Sequence, residues 1–228
     1  MILKIIYEHI PLDDTGLNEF GMGMKTASVW LSNNWSVRTK AFGEVVERYT
    51  EFNLEKVTRE EREVLEVVER TVPSNYHYTI IVLSELSKNA PKIGQMEKIK
   101  RHLSSIYRAF LRSGEMSIVV NGTSLEAPNY GILEAPFYKT PDGESKLWKK
   151  EIDYQWGDYR IKGFVAILDK MQNGANGLVL MRRGRVIVGG GDERYFPAVI
   201  FGQSGSFRYR RLFGEFEVEG FDVTFNKN

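Results

Sequence analysis

The chain has 228 residues, of which 42% are hydrophobic and 27% charged, with a net charge of +1. That is the make-up of one large globular domain or two small ones, and it gives no support to a polyanion-binding surface as the main function. With no cysteine and three scattered histidines (His9, His77, His102), disulfides, thiolate chemistry and histidine metal sites are excluded.

The opening Met1–Ile10 is apolar but short, carries charges and lacks a small-residue cleavage site, so it does not read as a signal peptide. Nothing downstream approaches a membrane-spanning run of about 18 apolar residues. A cytoplasmic protein without membrane association is expected.

In chain order, the first 17 residues read as a short strand or helix end followed by a loop, Pro11–Gly16. A helix is expected from Met24 to about Ser32, then a strand Trp35–Lys40, a turn at Phe42-Gly43 and an antiparallel partner Glu44–Phe52. Thr58 followed by Glu60-Glu61 signals a helix start, with Val64, Leu65, Val67 and Val68 as its core face and Pro73-Ser74-Asn75 as its stop. The apolar run Tyr78–Leu83 has the length and character of a strand at a sheet centre. Lys92–Arg112 is expected as one helix, with Ile93, Met96, Ile99, Leu103, Ile106 and Phe110 on its apolar face and Ser113-Gly114 ending it. The first half thus reads as helices on one face of a mixed sheet.

From about residue 115 the pattern changes. Strands are expected at Met116–Val120, Arg160–Asp169, Leu178–Met181, Val186–Val188 and Glu215–Phe225. Turn signals separate them, among them Asn121-Gly122, Pro141-Asp142-Gly143 and Gly189-Gly190-Gly191.

One stretch carries a chemical signal: Glu19-Phe20-Gly21-Met22-Gly23-Met24-Lys25-Thr26-Ala27. Two glycines one residue apart leave backbone uncovered, and the helix that follows presents unpaired amides and a positive dipole end to an anion. Lys25 and Thr26 add a cation and a hydroxyl. Neither the Walker A spacing nor the G-x-G-x-x-G fingerprint is present. A phosphate loop and a plain structural turn both fit these residues.

This stretch, followed by a helix and a strand, resembles the second glycine box of the GHKL ATPases. That superfamily includes gyrase B, Hsp90, the histidine kinases, MutL and the related MORC proteins. Thr79, opening the apolar strand, resembles the family's Gly-Thr pair, with Tyr78 in place of the glycine. Gly220–Lys227 looks like the strand-to-loop segment of the family's transducer domain, which ends in a lysine directed at the γ-phosphate. Arg182-Arg183-Gly184-Arg185 resembles that domain's strand–turn–strand.

The resemblance implies an α+β chain. Residues 1–114 would be a partial Bergerat-type α/β sandwich, and residues 115–228 a transducer-like domain similar to ribosomal S5. It implies ATP and Mg²⁺ as cofactors, with Glu19, Phe20, Gly21, Met22, Gly23, Met24, Lys25, Thr26 and Thr79 at the nucleotide and Lys227 as the catalytic cation. It also implies lid closure, a homodimer, and coupling of hydrolysis to a DNA or protein partner.

The family's catalytic Glu, its Mg²⁺-binding Asn and its adenine-reading Asp box all precede the glycine box, and only 17 residues stand before Asn18 here. No metal ligand is assigned within the chain. The sequence therefore reads as N-terminally truncated, with weak or absent ATP binding when isolated. The alternative is a non-enzymatic protein- or DNA-interaction module. Each candidate also has a plainer role: Lys25 as a solvated helix residue, Thr79 as an ordinary β-former, Lys227 as a solvated terminal lysine. Arg182, Arg183, Arg185, Arg208, Arg210 and Arg211 form either a nucleic-acid patch or a set of turn and strand-edge charges.

Overall fold

A computed structural model describes residues 3–7, 23–60 and 64–221. The fold is α+β, and the chain divides into two compact units. One is Asn18–Gly94; the other joins Met1–Leu17 to Gln95–Asn228. The sequence break at residue 115 marks a change of pattern inside the second of these.

Strand β1 (Leu3–Tyr7) opens the chain and belongs to the larger unit. The smaller unit begins with α1 (Gly23–Leu31), which runs without a linker into β2 (Ser32–Lys40). Then follow β3 (Val46–Asn53), α2 (Leu54–Glu60), β4 (Val67–Thr71) and β5 (Tyr78–Leu86). The strands form one sheet in the order β4-β3-β2-β5, and every pairing is antiparallel.

Helix α1 packs on β2 and β5 with Ser28 buried. Its C-terminal carbonyls are tied down by Ser87, whose amide donates to Leu31 O at 2.9 Å and whose hydroxyl donates to Trp30 O at 2.7 Å. Lys40 is only 2% exposed, and its ammonium donates to the carbonyls of Ala41 and Ser74 at 3.3 Å each and to that of Tyr76. This lysine thereby holds the β4–β5 connection against the end of β2.

Four expectations for this half need correction. The helix expected after Thr58 starts earlier: Asn53 Oδ1 accepts the amide of Lys56 at 2.8 Å and caps α2, while Thr58 bonds back to Leu54 O at 2.8 Å inside it. Val67 and Val68 then lie on strand β4, not on a helix. β-branched residues favour the pleat, and Glu69 sits directly opposite Arg48, with Arg48 Nε 3.3 Å from its carboxylate. The apolar run in β5 occupies an edge, not the centre, and Ile80, Ile81 and Val82 are exposed. The sheet is antiparallel, not mixed.

The larger unit continues after Gly94. The helix expected over Lys92–Arg112 is a short 3₁₀ turn (Ile93–Gln95), α3 (Met96–Ile106) and α4 (Arg108–Ser113). The two helices break at Tyr107, whose φ of −100° and ψ of 20° leave the helical region. Gly114 ends α4 in the left-handed conformation at φ 79°. Met96, Leu103, Phe110 and Leu111 pack on the buried Met116, Ile118 and Val120 of β6 (Met116–Val120). Strand β6 pairs antiparallel with β1 and with β7 (Thr123–Ser124).

A two-stranded ribbon, β8 (Glu134–Ala135) with β9 (Lys146–Leu147), precedes the main sheet. That sheet contains β10 (Lys149–Trp156), β11 (Tyr159–Ile167), β12 (Gly177–Arg182) and β13 (Arg185–Val188). Two short helices, α5 (Ala198–Phe201) and α6 (Phe207–Arg211), lead into β14 (Leu212–Glu219). The order is β10-β11-β14-β12-β13, and β12 runs parallel to β14.

Strand β14 is covered on both faces, as a strand at a sheet centre must be. On one face Phe216 packs with Leu178, Phe201 and Tyr209. On the other, Glu215 meets α3 and α4. Arg108, 3% exposed, donates to Glu215 Oε1 at 2.8 Å, to Ser105 O at 2.9 Å and to Ser105 Oγ at 2.7 Å. Arg112 donates to Glu215 Oε2 at 2.8 Å. Burial pushes the Glu215 carboxyl upward, but the bonds and charges of Arg112 and Arg108 outweigh it and hold the group below its ordinary value.

The β12–β13 hairpin turns at Arg183 (φ 51°) and Gly184 (φ 73°), the two positive angles of a type I′ turn. The Glu217 carboxylate accepts the Gly184 amide at 3.2 Å, while burial raises the pKa of this acid.

Replacing Glu215 by Gln leaves the Arg108 charge buried and unanswered, and should cost about 3–5 kcal/mol of unfolding free energy. Because the folded carboxyl is held below its unfolded value of about 4.3, this contribution is full above that pH. It is lost as the pH falls through the depressed folded value. Urea unfolding at a series of pH values should therefore show the wild-type advantage over Glu215→Gln at neutral pH and its decline in acid.

Candidate functional site

Glu19, Phe20, Gly21 and Met22, the first part of the glycine box, lie outside the described residues, as does Lys227. Gly23, Met24, Lys25 and Thr26 form the first turn of α1, and all four are exposed. Helix α1 is described from the second glycine onward. Its first amides have no partner within the helix, and its dipole places partial positive charge there.

A Cβ built at Gly23 meets nothing within 4 Å, and the residue does not lie in the left-handed region. Glycine in a helix costs up to about 1 kcal/mol relative to alanine. Among the described residues, neither backbone conformation nor packing calls for its missing side chain.

Thr79 is the second residue of β5 and lies in register with Thr39 of β2. The two hydroxyls are 2.8 Å apart, and Thr39 Oγ1 is also 3.3 Å from Tyr78 O. When Thr39 gives its proton to that carbonyl, Thr79 gives its own to Thr39 and keeps only acceptor capacity. Neighbouring this pair, the Tyr78 phenol donates to the buried Glu47, and that bond raises the phenol's pKa. Among the described residues no hydrogen bond joins Thr79 to the first turn of α1. The two loci share a unit.

The arginine-rich segments resolve into separate roles. Arg208 donates to Ile200 O at 3.2 Å, and Arg211 donates to the carbonyls of Leu168 and Asp169, the latter at 2.9 Å. These two hold helix α6 against neighbouring chain. Arg183 and Gly184 make the hairpin turn. Such placements are those of turn and loop anchors and do not assemble a continuous basic face.

Sequence reading missed the Arg108–Glu215–Arg112 cluster, the buried Lys40, and two concavities. One, of about 240 Å³, lies on the sheet of the smaller unit beside Asn34, Ser36, Glu51, Asn53 and Ser84. Asn34 Oδ1 and Trp35 Nε1, buried along its lining, have no hydrogen-bond partner among the described residues. The other, of about 400 Å³, lies in the larger unit between Met171 and Arg210. Only contacts far apart in sequence build either one, so no local motif announces them. Among the described residues no cluster of carboxylates and imidazoles can hold a metal ion, and no helix is long and apolar enough to cross a membrane.

Neither a family model nor a curated protein matches the sequence. Among solved structures, the chain is similar to the B-subunit of the DNA gyrase from Myxococcus xanthus. Identity is 11% and the TM-score 0.39, over 82% of this chain and 57% of that one. It is also similar to the 43K ATPase domain of Thermus thermophilus gyrase B in complex with an aminocoumarin, at 13% identity and a TM-score of 0.41. That alignment covers 90% of this chain and 59% of the other. The chain thus spans less than two thirds of either structure. Likeness at this distance assigns no residue a role.

Because Thr79 is exposed and valine suits a strand, Thr79→Val should change the unfolding free energy by less than about 0.5 kcal/mol. Chemical denaturation checks this. A loss above about 1 kcal/mol would give the threonine pair a structural role that its exposure does not suggest.

Proposed function

We propose that this chain supplies the phosphate-holding glycine box of a GHKL-type ATP-binding protein. The observation that carries the reading is Gly23: a glycine with open space around its Cβ position, no positive φ, and a place at the exposed start of α1. Lys25 and Thr26, exposed on the same turn, offer a cation and a hydroxyl donor to phosphate oxygens. The order of a glycine pair, a helix and an antiparallel sheet opened by Thr79 supports the resemblance seen in the sequence.

Phosphoryl transfer is mostly positioning and charge stabilisation, so the parts of such a site are separable. On this reading the α1 amides and Lys25 bind and orient the phosphates. Lys227 answers charge developing on the γ-phosphate. Magnesium, when bound, would supply positive charge to the phosphates; the described residues offer no ligand set for it. Residues 115–228 act as the transducer, coupling nucleotide state to lid closure and to association of two copies. The setting is cytoplasmic. A role as a non-enzymatic protein- or DNA-binding module is the rival reading, and the carbonyl-bound Arg208 and Arg211 do not favour it for DNA.

Gly23→Ala separates folding from ligand approach. The fold has room for the methyl group, so the thermal midpoint should stay level or rise. Affinity for Mg-AMPPNP, measured by calorimetry at high protein concentration, should fall at least tenfold. Unchanged nucleotide affinity in Gly23→Ala and in Lys25→Gln would contradict the reading.

A further inference from the structure

The pocket of about 400 Å³ in the larger unit is lined by two arginines, three carboxamides and a serine: Arg194, Arg210, Gln172, Asn173, Asn176 and Ser204. Among the described residues, no aspartate or glutamate lines it. That imbalance matters in a chain whose net charge is only +1, because most of its cations are matched by acids. Elsewhere in the same unit exposed cations do find partners: Arg160 pairs with Asp153 at 2.8 Å and Lys98 with Asp192 at 2.9 Å.

The two pocket arginines are not so used. On helix α6, Arg208 and Arg211 spend their guanidinium groups on carbonyl oxygens, whereas Arg210 between them makes no side-chain hydrogen bond or ion pair among the described residues. Its terminal nitrogen lies beside Gly205, 3.8 Å from where a Cβ would stand. Arg194 has a single long bond, 3.4 Å to Asn176 Oδ1. Its other terminal nitrogen lies beside Gly174, 3.9 Å from the Cβ position there. Asn176 is fixed in turn, since its amide donates to Tyr209 O at 2.7 Å. The site therefore has one oriented carboxamide and two unpaired guanidinium ends at the walls of one concavity.

Guanidinium groups are planar forks that match the oxygens of a phosphoryl group two at a time, and neighbouring carboxamides and hydroxyls supply neutral donors. We propose that this pocket binds a small phosphorylated molecule, its phosphoryl group between Arg194 and Arg210 and its polar remainder against Gln172, Asn173 and Ser204. A nucleic-acid backbone fits less well. Duplex recognition needs a row of cations tracking successive phosphates, and here the flanking Arg208 and Arg211 are turned to carbonyls. The site belongs to the larger unit and is separate from the glycine box on α1.

The test is calorimetric titration of the full chain with pyrophosphate as the probe, repeated for Arg194→Gln, Arg210→Gln and Lys25→Gln, with thermal midpoints to check folding. Both arginines are exposed, so their replacement leaves the fold intact. The expected result is saturable binding that weakens about tenfold or more in each arginine variant and is unchanged in Lys25→Gln. Binding unaffected by either arginine variant would overturn the proposal. So would binding lost only in Lys25→Gln, which would assign the probe to the glycine box. A third contrary result is an Arg210-dependent, steeply salt-sensitive shift of duplex DNA without pyrophosphate binding, which would make this a nucleic-acid surface.

Discussion

A carboxylate buried at the centre of a five-stranded sheet must have its charge answered, and the larger unit is arranged to answer that of Glu215. Arg108 and Arg112 reach it from α4, and Ser105 at the end of α3 holds Arg108 from behind. The Ser105 hydroxyl also accepts the amide of Gly191, which follows β13, at 2.8 Å. One charge thus fixes both helices against strands β12, β13 and β14. Removing water from such a group is expensive, and only this complete set of donors makes the burial tolerable. The apolar clusters on the opposite face, around Phe201 and Phe216, supply the hydrophobic driving force but not that register.

Sequence pattern revealed β6, β11, β12, β13 and their turns, but it missed β10 (Lys149–Trp156) and placed the last strand at Glu215–Phe225, where β14 runs from Leu212 to Glu219. Gly184 and Gly114 sit at positive φ, as their places at a turn and a helix end require. Helix α1 and strands β2 and β3 were equally legible. Non-local geometry was not. Strand β5 reads as a central strand because its run is apolar on both faces, yet periodicity cannot say how many neighbours a strand has. Val64–Val68 fits a helical stripe as well as a strand, and the choice was made by Asn53 capping α2 early and by Arg48 facing Glu69. Arg108 is invisible to pattern reading, since its partner lies 107 residues away.

The candidate sites divide along the same line. The glycine box was legible because small residues, a helix start and a cation stand together in sequence. What the structure adds is that Gly23 has no packing reason to be glycine. Thr79 was legible as a position, but its hydroxyl is engaged by Thr39 across the sheet, so any nucleotide contact must compete with that bond. The arginine pocket left no local trace at all. Its cations stand 16 residues apart in sequence, among others of the same type that do structural work.

If the start of α1 holds the phosphates of a nucleotide, its amides must respond to one. Amide chemical-shift mapping of the chain during titration with Mg-AMPPNP tests it most directly. The largest shifts should fall on Gly23, Met24, Lys25 and Thr26 and saturate together. Shifts that are absent there while strong elsewhere in the chain would contradict it.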